Sequence, residues 1–174
     1  MPAARFVEQL NTQIGYELAA HNQYLACAVY YDAQTMPQMA AFFYSQALEE
    51  RAHAMMMVRY LLDTDAEVII PGVEAPTPKF GDVVEPVALA LDHERQVTEQ
   101  INTLIRIARE GSDFASEQFM SWFIKEQVEE VATMNDLLAV VTRNRDDIED
   151  IEEYVAREQG GPADDPTAPR EAGS

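Results

Sequence analysis

The sequence predicts an all-α protein: a four-helix bundle with one long crossover and a short fifth C-terminal helix. Three observations predict it. Four long stretches repeat apolar residues at spacings of three and four, the period of a helix that buries one face. Glycine and proline, 7 and 9 in 174 residues, are scarce within those stretches and collect between them. A single connection is long enough to run the length of the bundle.

The first helix is predicted over 3–32. The second, over 37–63, opens on Pro37, a residue suited to the first helical position, with Thr35 placed to cap it. The third, over 84–110, uses Pro86 in the same way. Gly111-Ser112 then separates it from the fourth, over 113–141, which Ser112 or Asp113 can cap. A short fifth helix over 146–158 follows Asn144. Short turns join the first helix to the second and the third to the fourth, so each pair is an antiparallel hairpin. Between the second and third helices stand Pro71, Gly72, Pro76, Pro78 and Gly81, which rule out a continuous helix. The second helix is about 40 Å long at its rise per residue. Some 20 extended residues reach roughly 65 Å. The connection can therefore return along the whole bundle, and the third helix starts at the same end as the second. Residues 1–159 form one domain on this reading, and 160–174, rich in Gly, Pro and Ala, are expected to be a disordered tail.

Composition narrows the function classes. Twelve basic against 31 acidic side chains leave a formal charge of −19. Such a surface repels phosphate backbones and anionic lipid, so neither nucleic acid nor a membrane is expected as a partner, and it attracts cations. A hydrophobic content of 47% is enough for a real core. The lone Cys27 excludes a disulfide framework and any multi-cysteine metal cluster, and His21, His53 and His93 are too few for a His-rich site. No apolar run approaches the ~18 residues of a membrane span. No secretory core follows Met1-Pro2-Ala3-Ala4-Arg5, so the expected location is cytoplasmic.

The inner stripes carry the chemistry. They read Phe6, Leu10, Ile14, Glu17, His21, Tyr24, Ala28 in the first helix and Met39, Phe43, Gln46, Glu50, His53, Met57, Tyr60 in the second. In the third they read Val87, Leu91, Glu94, Val97, Ile101, Leu104, Ala108, and in the fourth Met120, Phe123, Gln127, Glu130, Met134, Leu137, Val141. Each stripe is apolar at its ends and bears a carboxylate near its middle. Glutamate is seldom buried unpaired, and helices of similar length bring their midpoints to one layer. Glu17, Glu50, Glu94 and Glu130 would thus converge in a low-dielectric interior with no Lys or Arg on the stripes to offset them. Protonation or bound metal is required. Two divalent ions supply four positive charges, and so do two trivalent ions bridged by an oxo group. A dinuclear centre could therefore change oxidation state with little change in net charge. Carboxylate oxygens with one imidazole suit iron or manganese better than zinc.

The spacing sharpens this reading. Ferritin-like di-iron proteins use one Glu from each of two helices and a Glu-x-x-His pair from each of the other two. Glu17 and Glu94 are the single acids here, Glu50-Arg51-Ala52-His53 is one pair, and Gln127-Val128-Glu129-Glu130 keeps the spacing of the second with Glu130 in place of histidine.

At these residues, with Tyr24, the run Ala47-Leu48-Glu49-Glu50-Arg51-Ala52-His53-Ala54 and Glu126-Gln127-Val128-Glu129-Glu130, the chain resembles the ferritins, in particular the haem-free bacterial ones, over about residues 4–158. The resemblance implies a hollow shell of 24 subunits, a homo-oligomer that takes up Fe(II), oxidises it with dioxygen or hydrogen peroxide and stores a ferric oxide mineral. It implies a first iron site of Glu17, Glu50 and His53, and a second of Glu94 and Glu130 with Glu50 bridging and Gln127 nearby. A third iron position, found in bacterial members, maps to Glu49, Glu126, Glu129 and Glu130. Bacterioferritins place a haem-ligating methionine after the second-helix glutamate. Arg51 stands there, so no haem is expected.

Other residues have plainer readings. Tyr24 is either an electron donor or a hydrogen-bonded core tyrosine. Glu49, Glu126 and Glu129 are either iron ligands or solvated charges. His21 reads as structural, His93 as facing away from the ligands, Trp122 as packing and Cys27 as a small buried hydrophobe. Asp113 and Glu117 fall near where the family builds its three-fold pores, and the acids Asp146, Asp147, Glu149, Asp150, Glu152 and Glu153 either suit the start of the fifth helix as a solvated face or serve a channel or the mineral. A rubrerythrin-type oxidase would call for richer ligation, a DNA-protecting mini-ferritin for basic termini, and a purely structural cage subunit for no inner acids.

Overall fold

A computed structural model describes residues 2–158 and 165–173. It contains five helices among them: α1 (Ala4–Ala33), α2 (Pro37–Asp63), α3 (Glu85–Glu110), α4 (Phe114–Arg143) and α5 (Ile148–Glu158). α1 packs chiefly on α2 and α3 on α4, α1 also meets α3, and α5 rests on α2 and α4. The fold is the expected four-helix bundle, and helix boundaries agree with the sequence reading to within a few residues.

The ends of the helices show how the chain is steered. Pro37 and Pro86 do open α2 and α3. Asp113 caps α4, accepting from the backbone N–H of Ser116 at 3.2 Å. Thr35 does not cap α2. It sits at φ 60° in the tight turn after α1, where its own N–H donates to the carbonyl of Asp32. The N-terminal donors of α2 are met from a distance instead: the N–H groups of Gln38 and Met39 donate to the carboxylate of Glu152 in α5, at 2.7 and 2.9 Å. One of the acids grouped at the fifth helix is therefore a cap for another helix.

The crossover runs back along α1. Asn11 donates to the carbonyl of Glu67 at 2.9 Å and accepts from the N–H of Ile69 at 2.6 Å. Three turns on, Gln23 does the same with Thr77, and the Tyr31 hydroxyl then donates to the carbonyl of Val83 at 2.6 Å. Two amides and a phenol thus satisfy backbone groups that lack secondary structure of their own. Gly15 allows the closest approach, since a Cβ there would lie 2.8 Å from the Pro71 ring.

The stripe residues are buried, apart from His21 and Tyr60, which are half-buried. The core forms two apolar clusters. One contains Tyr24, Tyr31, Phe43, Leu91, Met134 and Leu137. The other contains Phe6, Leu10, Ile14, Met57, Ile101 and Phe123. The buried polar side chains of Glu17, Gln46, Glu50, His53, Glu94, Gln127 and Glu130 fall at the middle of the four stripes, with buried Gln13 one turn before Glu17.

Part of the segment expected to be disordered lies against the bundle. The N–H of Ala172 donates to the carbonyl of Met55 at 3.0 Å, Arg170 pairs with Asp63, and Ala168 and Ala172 pack on the second cluster. The remainder of that segment, 160–164 and 174, lies outside the described residues. Composition reports how weakly such a segment holds itself together, and is silent on a ready-made surface that can receive it.

Candidate metal centre

Each main helix contributes to the polar layer. α1 supplies Glu17, α2 supplies Glu50 and His53 one turn apart, α3 supplies Glu94, and α4 supplies Gln127 and Glu130. All six are buried, Glu94 completely so. Glu17, Glu50 and His53 form the tight group: one ligand atom from each lies within 4.8 Å of the others. His53 Nδ1 is 4.0 Å from Glu17 Oε2 and 3.9 Å from Glu50 Oε2. Gln13, one turn before Glu17, donates to Glu17 Oε1 at 2.9 Å. Glu17 Oε2 is buried with no hydrogen-bond partner among the described residues. A buried, unpaired carboxylate oxygen facing a second carboxylate and an imidazole is a donor set that lacks only its cation.

The electrostatics agree. Burial pushes Glu17 well above the ordinary carboxylate range, and the charge of Glu50 adds to it. Burial and the charge of Glu94 do the same to Glu50, while burial and Glu94 raise Glu130. Without metal the layer keeps protons in order to limit its charge.

Glu94 is the exception. Burial alone would raise it, but the hydrogen bond and charge of His93, with donors from Tyr24 and Gln127, outweigh burial and lower it. The Tyr24 hydroxyl donates to Glu94 Oε1, and Gln127 Nε2 donates to Oε2 at 3.3 Å. Thr98 in turn fixes Gln127, donating to its carbonyl oxygen at 3.0 Å. His93 departs from the reading that it faces away: its Nδ1 is 3.3 Å from the Tyr24 hydroxyl and 3.8 Å from Glu94. His21 is structural, its Nδ1 lying 2.6 Å from the carbonyl of Ala47. Burial pushes the Cys27 thiol up to about 12, which keeps it inert.

Glu94 and Glu130 are not in the tight group, although their charges act on Glu50. Glu49 and Glu126 are half-buried and Glu129 is exposed, and among the described residues these three are not gathered as closely as Glu17, Glu50 and His53. Gln46 donates to Glu49. Lys125 Nζ lies 4.0 Å from both Glu126 and Glu129, a counter-charge that stripe reading passes over because it is not an inner position. Asp113 also accepts from the N–H of Ala3, and Glu117 pairs with Arg109 at 2.6 Å, so both have partners within the chain.

The ferritin family model, described as a ferritin-like domain, matches residues 7–144. The chain belongs to the ferritin family. It is 50% identical over 169 residues to ferritin BfrB of Mycolicibacterium smegmatis, covering 97% of this chain and 93% of that one. It is 35% identical to a bacterial non-heme ferritin of Staphylococcus aureus, over 84% and 89% of the two chains. The structure of an open pore ferritin from the archaeon Archaeoglobus fulgidus superposes with a TM-score of 0.85 at 28% identity, covering 90% of this chain and 99% of that one. Ferritins form cage-like homo-oligomers, and the buried Glu17, Glu50 and His53 are consistent with the metal site of one.

Proposed function

We propose that this ferritin stores iron and is a ferroxidase: it oxidises Fe(II) inside each subunit and deposits the ferric product as mineral within a 24-subunit cage. The observation that carries this reading is the buried group of Glu17, Glu50 and His53, with no donor hydrogen-bonded to Glu17 Oε2 among the described residues, in a chain of this family. Those three side chains would hold one Fe(II). Glu94 and Glu130 would hold the second, with Glu50 shared between the two and Gln127 beside them. Each Fe(II) gives up one electron, and dioxygen or hydrogen peroxide accepts the pair. The hard oxygen donors favour Fe(III) over Fe(II), which drives the oxidation, and Glu130 would supply one of those oxygens.

Glu49, Glu126 and Glu129, with Glu130, would form a third position on the path out, and Tyr24 would give an electron to the centre. Assembly has support in the exposed apolar side chains of Leu48, Ile69, Ile70, Phe114 and Val128, which a cage could bury between copies. No haem takes part in this scheme: Arg51, next to Glu50, is exposed and cannot ligate one. Among the described residues no helix is long and apolar enough to cross a membrane.

Aerobic addition of Fe(II) tests the whole reading. The protein should retain hundreds of ions per particle as an electron-dense core, a loading that two ions per chain cannot explain. Glu50→Ala and His53→Ala should slow Fe(II) oxidation at least about tenfold while the cage still assembles. Oxidation at the parent rate by either variant would overturn the site assignment.

A further inference from the structure

Three observations meet at Trp122. Its indole ring stands edge-on to the imidazole of His53, with centroids 5.7 Å apart at 74°. Phe123 forms a second wall for the same imidazole at 5.7 Å and 75°. Phe123 is 3% exposed and locked in the core, whereas Trp122 is only half-buried. A half-buried indole needs a partner for its N–H if it is to hold one orientation. That partner comes from beyond the bundle: Trp122 Nε1 donates to Asp165 Oδ2 at 3.0 Å.

Asp165 is itself well fixed. The N–H and hydroxyl of Thr167 donate to its Oδ1 at 2.8 and 2.6 Å, and the Ala168 N–H closes a turn on its carbonyl. The segment is fastened again at Ala172, on the carbonyl of Met55, two residues from His53 along α2. The same Asp165 oxygen lies 3.4 Å from Lys125 Nζ, which holds the ammonium near Glu126 and Glu129.

We propose that the C-terminal segment over 165–173 is a working part of the iron centre, in which Asp165 is a positioning residue that sets the His53 imidazole by fixing Trp122. This rests on His53 being an iron ligand. Among the described residues the imidazole makes no hydrogen bond of its own to hold its plane, and the carboxylate oxygens of Glu50 and Glu17 lie 3.9 and 4.0 Å from its Nδ1. Its aromatic walls therefore set the direction in which its free nitrogen points, and one wall depends on the tail. A ligand left to swing binds Fe(II) more weakly, while the oxidation step, once two ions are bound, is little changed.

Trp122 is the only tryptophan, so its emission reports this contact in the metal-free protein. Asp165→Ala should shift that emission to the red and raise its quenching by acrylamide about twofold, and should raise the KM for Fe(II) about threefold with kcat little altered. Asp165→Asn keeps an acceptor for the indole N–H and should stay near the parent in both. Trp122→Phe should reproduce the KM effect, and adding Asp165→Ala to it should do no further harm. Parent-like emission or KM in Asp165→Ala would overturn the proposal, as would a further loss in the double variant. If the parent itself fails to oxidise Fe(II), the proposed function falls. The emission comparison still decides whether Asp165 holds Trp122.

Discussion

The hydroxyl of Tyr24 donates to the carboxylate of Glu94, and Nδ1 of His93 lies 3.3 Å from the same hydroxyl oxygen. Tyr24 is fully buried, and these two neighbours are the hydrogen-bond partners of its hydroxyl among the described residues. Tyr24→Phe should cost about 1–3 kcal/mol of stability, the usual loss for a buried hydrogen bond to a charged group. It should also abolish any tyrosyl radical seen by electron paramagnetic resonance after Fe(II) and oxygen are mixed. A radical of parent intensity in the variant would remove Tyr24 from the electron path.

Glu50 shows the conflict between holding a metal and holding a fold. It is buried and raised by burial and by its acidic neighbours. Glu50→Gln keeps its shape and removes the charge, so the metal-free variant should melt no lower than the parent, and a few degrees higher near neutral pH. Its Fe(II) oxidation should fall at least about tenfold. Calorimetry of the metal-free pair checks the first outcome and stopped-flow absorbance the second.

The raised carboxyls also set a pH dependence. Glu17, Glu50 and Glu130 bind protons more tightly folded than unfolded. Their contribution to stability is present below the ordinary carboxylate pKa and is lost as pH rises through the folded values. Glu94, which is lowered, works in the opposite sense, but it is one against three. The metal-free protein should therefore melt at lower temperature at about pH 8 than at about pH 5.5, and a redox-inert divalent ion should remove most of that difference. A melting temperature flat with pH would mean that these acids are not proton-bound in the folded state.

Glu152 should matter to stability alone. Glu152→Ala takes away the acceptor for the N–H groups of Gln38 and Met39 and should cost about 1 kcal/mol, as lost helix caps do. Iron oxidation per folded subunit should be unchanged. A ferroxidase defect in this variant would show that α5 influences the centre as well as the start of α2.

The helices and the depth of their stripes are legible from spacing alone, because a period near 3.6 is imposed by backbone geometry and leaves its mark on every turn. Glu17, Glu50, Glu94 and Glu130 stood out for the same reason, as acids at positions that otherwise read Leu, Phe or Met. Partners that come from elsewhere in the chain were not legible. Nothing local marks Glu152 as the cap of a helix more than 100 residues earlier, or Asp165 as the partner of Trp122. His93 shows the limit of the wheel: a long side chain beside an inner position can still reach inward to Tyr24. Asn11 and Gln23 read as ordinary polar positions until the crossover is laid over them.

The two apolar clusters meet across a layer of acids, and this gives the bundle an unusual anatomy of weakness. Most helical bundles fray from their tips and exchange amide hydrogens last at mid-length. Here, without iron, the waist holds buried acids that must keep protons, so amides around Glu17 and Glu50 should open before those beside Leu10 or Leu137. Cargo that settles at the waist would act as a rivet, and an empty subunit would flex where a full one is stiff.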